Sequence, residues 1–148
     1  MDTINGNAGA KLVHDFEMLK QKYGKGPLAL AAKANELEDV KTFISNRENV
    51  NQVANQGNTA LIYASWKGHK DIVVELLKSP DLDLGKQNDN GDTALMQAAW
   101  SGHKDILKLL LKDKRQKDSV NIKSKSGKSA WIVAKTDLRD ILKSYGAG

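Results

Sequence analysis

Two stretches of the chain carry one pattern of apolar and polar positions. Residues 57–77 read GNTALIYASWKGHKDIVVELL and residues 91–111 read GDTALMQAAWSGHKDILKLLL, an ungapped match at an offset of 34. Each stretch predicts two short helices. In the first, Ala60 and Ala64 lie four apart on one face, where small side chains let neighbouring helices approach. Gly68 then breaks the helix, because glycine readily takes a left-handed turn. In the second, Ile72, Val73, Leu76 and Leu77 follow the period of 3.6 residues. Between the units, KQNDNGDT is made of turn formers.

Looser copies flank this pair. Upstream, at an offset of 33, Pro27-Leu28 falls on Ala60-Leu61, Asn35 on Gly68, and Phe43-Ile44 on Leu76-Leu77. Downstream, Gly127 and Ala130 match Gly91 and Ala94 at an offset of 36. That copy loses one residue after Ala134, so that Asp140-Ile141 matches Asp105-Ile106 at 35. Four units are expected, at 21–53, 54–87, 88–123 and 124–148. A unit of this kind buries its apolar face only against neighbours, so a stacked solenoid follows. Residues 1–20 are read as a disordered start (1–9) plus a helix. Leu12, Phe16, Leu19 and Tyr23 share that helix's apolar face. It either caps the open end of the first unit or is offered to a partner; His14 in it is read as solvated. The last unit suits an outer end, with Lys135, Thr136, Asp137, Arg139, Asp140 and Lys143 among few apolar residues.

The pattern resembles the ankyrin repeat, whose motif runs G-x-T-P-L-H-x-A-A-x-x-G-H and continues into a second helix ending in Leu-Leu. Gly57, Thr59, Leu61, Ala64, Gly68 and His69 match it, as do Gly91, Thr93, Leu95, Ala98, Ala99, Gly102 and His103. The motif proline is replaced by Ala60 and Ala94, and the histidine after Leu by Ile62 and Met96. The last unit has Trp131 for Leu and lacks the Gly-His turn. The resemblance covers about residues 21–148. It implies an all-α, ankyrin-like solenoid of four stacked helix-turn-helix repeats with an N-terminal capping helix. It also implies that His69 and His103 hold neighbouring turns together.

Composition narrows the function. The chain has 148 residues, 40% hydrophobic and 28% charged, with no cysteine. No disulfide and no cysteine-based zinc site or nucleophile is therefore expected. The start, MDTINGNAGA, lacks the apolar core of a signal peptide, and no stretch approaches a bilayer span. These features point to the cytoplasm, with the nucleus as the other choice. SGKSA at 126–130 ends like a phosphate-binding loop, but Ile122 stands where that motif needs glycine. No enzyme activity, cofactor or metal is expected.

What remains is binding. Ankyrin-like proteins commonly bind through a concave face made of turn tips and the first helix of each unit. Carried over by position, that face has turn-tip residues Tyr23, Lys25, Asn55, Gln56, Asn58, Asp89, Asn90, Asp92, Ser126 and Lys128. Its first-helix residues are Lys33, Trp66, Lys67, Trp100 and Ser101. Trp66 and Trp100 fill one slot of consecutive units, with Lys33 and Thr136 in the same slot of the outer units. The two rings are expected to be neighbours. They are read either as partner anchors, since aromatics dominate binding hot spots, or as packing over adjacent turns. The expected partner is another protein, bound by a monomer, with nucleic acid and membrane disfavoured. The other reading rests on residues 108–128, where eight Lys/Arg face two Asp for a net of +6 in a chain of +5. That segment is either a solvated loop or an electrostatic contact for nucleic acid or an anionic membrane.

Overall fold

The computed structural model describes residues 15–148. Among them lie nine α-helices, arranged as one leading helix and four antiparallel pairs. The described part of α1 is residues 15–23. The pairs are α2 (Pro27–Lys33) with α3 (Leu37–Ser45), α4 (Ala60–Lys67) with α5 (Lys70–Leu77), α6 (Ala94–Ser101) with α7 (Lys104–Lys112), and α8 (Ala130–Val133) with α9 (Thr136–Ser144). First helices stack in one layer, α2 on α4 on α6 on α8, and second helices in another, α3 on α5 on α7 on α9. The fold is thus an all-α stack of repeats.

Local chemistry sets the helix ends. Backbone N–H groups of Ile62, Met96 and Ile132 donate to the side-chain oxygens of Thr59, Thr93 and Ser129 at 3.2, 3.3 and 3.4 Å. These bonds satisfy one of the free donors that every helix start presents. α4 and α6 end at Gly68 and Gly102, whose φ of 82° and 79° is left-handed. First helices are sandwiched on several sides, so Ala60 through Ser65 are all buried. Second helices are amphipathic: Ile106, Leu107, Leu110 and Leu111 of α7 face the core while its lysines face solvent.

Between pairs the chain makes three equivalent tight hairpins. Ala54, Asn88 and Ser124 N–H groups donate to the carbonyls of Asn58, Asp92 and Lys128 at 2.9, 3.0 and 2.9 Å. The hairpins are joined tip to tip, with Asp89 N–H on the Gln56 carbonyl and Lys125 N–H on the Asn90 carbonyl, both at 3.0 Å. The histidines tie the opposite turns. His69 Nε2 lies 3.3 Å from the Lys33 carbonyl and His103 Nε2 lies 2.9 Å from the Trp66 carbonyl. A carbonyl only accepts, so each ring donates across one repeat boundary. The structural role expected for the two histidines is what the geometry shows.

α1 packs on the first pair. Phe16 and Tyr23 both meet Phe43 of α3 edge-on, with centroids 5.8 and 6.0 Å apart. The expected capping contact is therefore present; Leu12, His14 and the start at 1–9 lie outside the described residues. α1 runs through residue 23, past the expected end of the capping segment at 20. At the other end, α8 is four residues long and is closed by Arg139. Its Nε and Nη2 groups donate to the carbonyls of Trp131 and Ile132 at 3.1 and 3.0 Å. Because α8 stops at Val133, Thr136 opens α9 instead of filling a first-helix slot beside Trp100.

Candidate functional site: the groove between Trp66 and Trp100

The last turn of each central first helix projects beyond the packed layer. Trp66 is 37% exposed and Trp100 is 61% exposed, although both helices are otherwise buried. The two indoles line one groove of about 310 Å³, together with Gln56, Asn58, Asn90 and Asp92 from the hairpins. Six of the fifteen residues expected on the binding face therefore meet in one place. The two rings share the groove, as neighbours in matching slots should, but do not stack on each other. Trp66 stacks instead on Tyr63, centroids 6.4 Å apart at 20°.

The remaining expected residues take other positions. Lys67 Nζ sits 4.7 Å over the Trp66 ring and Lys33 Nζ 5.3 Å over the Tyr63 ring, so two ammonium groups rim the aromatic pair. Asn55 accepts the Tyr63 hydroxyl at its carbonyl, 3.4 Å away, and Ser101 lies half-buried at the end of α6. Asp89 is exposed at the second hairpin, while Lys25, Ser126 and Lys128 are exposed towards the two ends. Tyr23 departs from its expected turn-tip position. It is helical and half-buried, and its hydroxyl donates to Asp39 Oδ2 at 2.5 Å. Desolvation, with the Asp39 hydrogen bond second, pushes this phenol up to about 12. Tyr23 therefore belongs to the capping contact, because the apolar face of α1 turns it towards α3.

Within the groove the polar groups differ in availability. Asn58 is buried, and its Oδ1 accepts from Asn88 Nδ2 at 2.8 Å. Asn88 Oδ1 in turn accepts from the N–H groups of Asn90 and Asp92, both at 3.0 Å. These two asparagines are spent on the hairpin. Asp92 is not: its carboxylate accepts one long bond from Gln97 Nε2 at 3.4 Å, and no cation pairs with it among the described residues. Partial burial holds its pKa above the ordinary carboxylate value.

Sequence reasoning missed Tyr63, Met96, Gln97 and Val133. Met96, Gln97 and Val133 line the groove. Tyr63, Gln97 and Val133 occupy one slot at the repeat offsets of 34 and 36, one helical turn before the Trp66 slot. That periodicity was the available signal.

The basic segment changes character when folded. All seven lysines of 108–128 are exposed. Arg115, by contrast, is an internal strut. It grips Asp113 through Nε and Nη2 at 2.9 and 2.7 Å, and donates to the carbonyls of Ser79 and Leu77 at 2.6 and 2.8 Å. The Arg115 bonds hold the Asp113 carboxyl below its ordinary value. Gly127 and Ser129 of the phosphate-loop look-alike serve a hairpin and a helix cap. Among the described residues no group of three or more His, Cys, Asp or Glu gathers as a metal would need, and no helix is long and apolar enough to cross a membrane.

A stack of helix pairs joined by tip-linked hairpins, with histidines bridging successive turns, defines an all-α repeat solenoid. The chain belongs to the ankyrin repeat family. The family's ankyrin-repeats model matches it in three copies, at residues 4–87, 28–124 and 73–143. Among curated relatives, osteoclast-stimulating factor 1 of Rattus norvegicus is 43% identical over 61 residues. The proteins of the same name from Xenopus laevis and Danio rerio are 42% and 39% identical over the same length. Each match covers 41% of this chain and 28% of the relative's own length.

Proposed function

We propose that this chain is a non-catalytic module that binds a partner polypeptide on its concave face, with Trp100 and Trp66 as anchors. The observation that carries the reading is the pair of partly exposed indoles sharing one groove with Asp92, a carboxylate that no cation compensates among the described residues. Aromatic side chains bury large area for few rotatable bonds, which suits an anchor. Asp92 and Asp89 lie between lysines at the two ends, so charge would set the partner's register. The tip-to-tip hairpin bonds hold this surface in place before binding, which limits the entropy lost on association.

The test is affinity capture at moderate salt, followed by direct titration of the captured protein against purified variants. Trp100 is the informative position, because its ring is mostly exposed and its loss should shift stability by less than about 1 kcal/mol. Trp100→Ala should weaken binding at least tenfold with the thermal midpoint nearly unchanged. Trp66→Ala should also weaken binding but costs more stability, since its ring is stacked on Tyr63. Unchanged affinity in Trp100→Ala removes the concave groove as the binding site.

A further inference from the structure

The groove between the indoles is short of one kind of charge. Its lining holds Asp92 but no lysine, arginine or histidine, in a chain whose net charge is +5. The Asp92 carboxylate receives one long bond from Gln97 Nε2 and pairs with no cation among the described residues. The repeat does not require an acid there. At the repeat offsets the same slot holds Lys25, Asn58 and Lys128, so the carboxylate is peculiar to the third unit. A partly buried charge with no partner costs stability, which a cation brought by a ligand would offset.

Trp100 has the same shortage. Elsewhere on the stack Lys33 Nζ lies 5.3 Å from the Tyr63 ring centre, Lys67 Nζ 4.7 Å from that of Trp66, and Arg139 Cζ 5.1 Å from that of Trp131. Among the described residues no cation lies over Trp100, although at 61% it is the most exposed of the large apolar side chains. Indole is the aromatic ring that attracts a cation most strongly. Gln97 sets the spacing between the two groups. It stands one helical turn before Trp100 and reaches Asp92, so carboxylate and indole flank a single turn of α6, about 5 Å of helix axis. One cation can therefore serve both.

We infer that the groove takes an arginine side chain of the bound polypeptide, its guanidinium fork on Asp92 and its plane against Trp100. The inference rests on the concave-face reading and names the residue which that face selects. Arginine fits better than lysine for three reasons. Its planar fork matches a carboxylate with two parallel bonds, its face stacks on an indole, and it is more weakly hydrated, so entering a partly buried groove costs less. Lys33 and Lys67 rim the neighbouring aromatic pair and hold no carboxylate among the described residues. They repel a basic run, so the segment carries a single arginine at the groove, with neutral or acidic residues towards α4.

Blocked pentapeptides with leucine on each side of a central arginine, lysine or citrulline serve as probes. Each is titrated into the full chain at constant ionic strength and followed by indole N–H and backbone amide NMR. Citrulline keeps the size and plane of arginine and removes its charge. The arginine peptide should give saturable shifts at the Trp100 indole and along residues 88–100. The citrulline peptide should bind at least tenfold more weakly and the lysine peptide at least threefold. Asp92→Asn should bring arginine down to the citrulline level without lowering the thermal midpoint, and Trp100→Ala should weaken all three peptides. Equal binding of arginine and citrulline, a lysine peptide that matches arginine, or an arginine preference that survives Asp92→Asn overturns the inference while leaving the concave-face reading standing. No saturable response to the arginine peptide, or shifts that miss residues 88–100, also overturns it. The concave-face reading is then decided separately, by the captured protein and its response to Trp100→Ala.

Discussion

The turn after α4 offers a sharp test of how neighbouring repeats are joined. Gly68 sits at a φ of +82°, and a β-carbon built there would lie 2.7, 3.0 and 3.1 Å from Cε1, Nδ1 and Nε2 of His103. Gly127 has nearly the same φ, +80°, with nothing within 4 Å. Gly127→Ala should therefore lose only the backbone term, about 1–2 kcal/mol for a left-handed residue with a side chain. Gly68→Ala bears that term and must also push the imidazole aside. Displacing a packed ring costs about 1–3 kcal/mol, and the ring is the one that donates to the Trp66 carbonyl at 2.9 Å. The total loss should be about 2–5 kcal/mol. His103→Ala alone should lose about 1–2 kcal/mol, mostly from the unpaired carbonyl. In that background Gly68→Ala should fall back to the Gly127→Ala value. The double-mutant cycle then shows a coupling of about 1–3 kcal/mol. Urea denaturation followed by circular dichroism, with tryptophan fluorescence as a second probe, measures all five proteins. Equal losses in Gly68→Ala and Gly127→Ala, or an additive cycle, would refute the claim that His103 locks onto this glycine.

Three further outcomes follow from named contacts. Arg115→Ala should lose about 2–4 kcal/mol at neutral pH through its charge-assisted bonds to Asp113 and to two carbonyls of the preceding repeat. Asp113 titrates below its ordinary 3.8 when folded, so its contribution is present above that value and disappears as pH falls through the lowered one. The wild-type loss of stability on acidification should thus be shallower in Arg115→Ala, and an identical acid slope would contradict the pairing. Tyr23 has the opposite sign. Its folded pKa of about 12 exceeds the ordinary 10.0, so its contribution is intact below pH 10 and is lost as pH rises through 12. Tyr23→Phe should flatten that alkaline loss, as read from denaturation at pH 9 and 11. Asp92→Asn should slightly stabilise the free protein, because burial disfavours its charge. The same change should weaken a partner that supplies a cation; a net loss of stability would show that Asp92 has a compensating contact.

Much of this architecture was legible without coordinates, because a repeat stacks each unit on a near-copy of itself. The recurrence at 34 residues specifies which helices neighbour each other. Gly68 and Gly102 at the ends of first helices, and Thr59 and Thr93 at their starts, act within a few residues of themselves. The pairing of the two tryptophan slots in one groove also followed from the offset. What the pattern could not decide is how side chains of equivalent slots settle once neighbours differ. Trp66 stacks on Tyr63, whereas the same slot beside Trp100 holds Gln97. Thr136 left the face because the last first helix is only four residues long. Arg115 looked like one more surface charge, yet it reaches carbonyls 36 and 38 residues away, and no local rule predicts which long side chain turns inward. Gln116, its neighbour, looked like an ordinary polar loop residue. Its burial and its unpaired amide depend on what α7 and α9 bring around the turn. Sequence periodicity determines the stack; desolvation, which depends on every neighbour at once, was decided by tertiary packing alone.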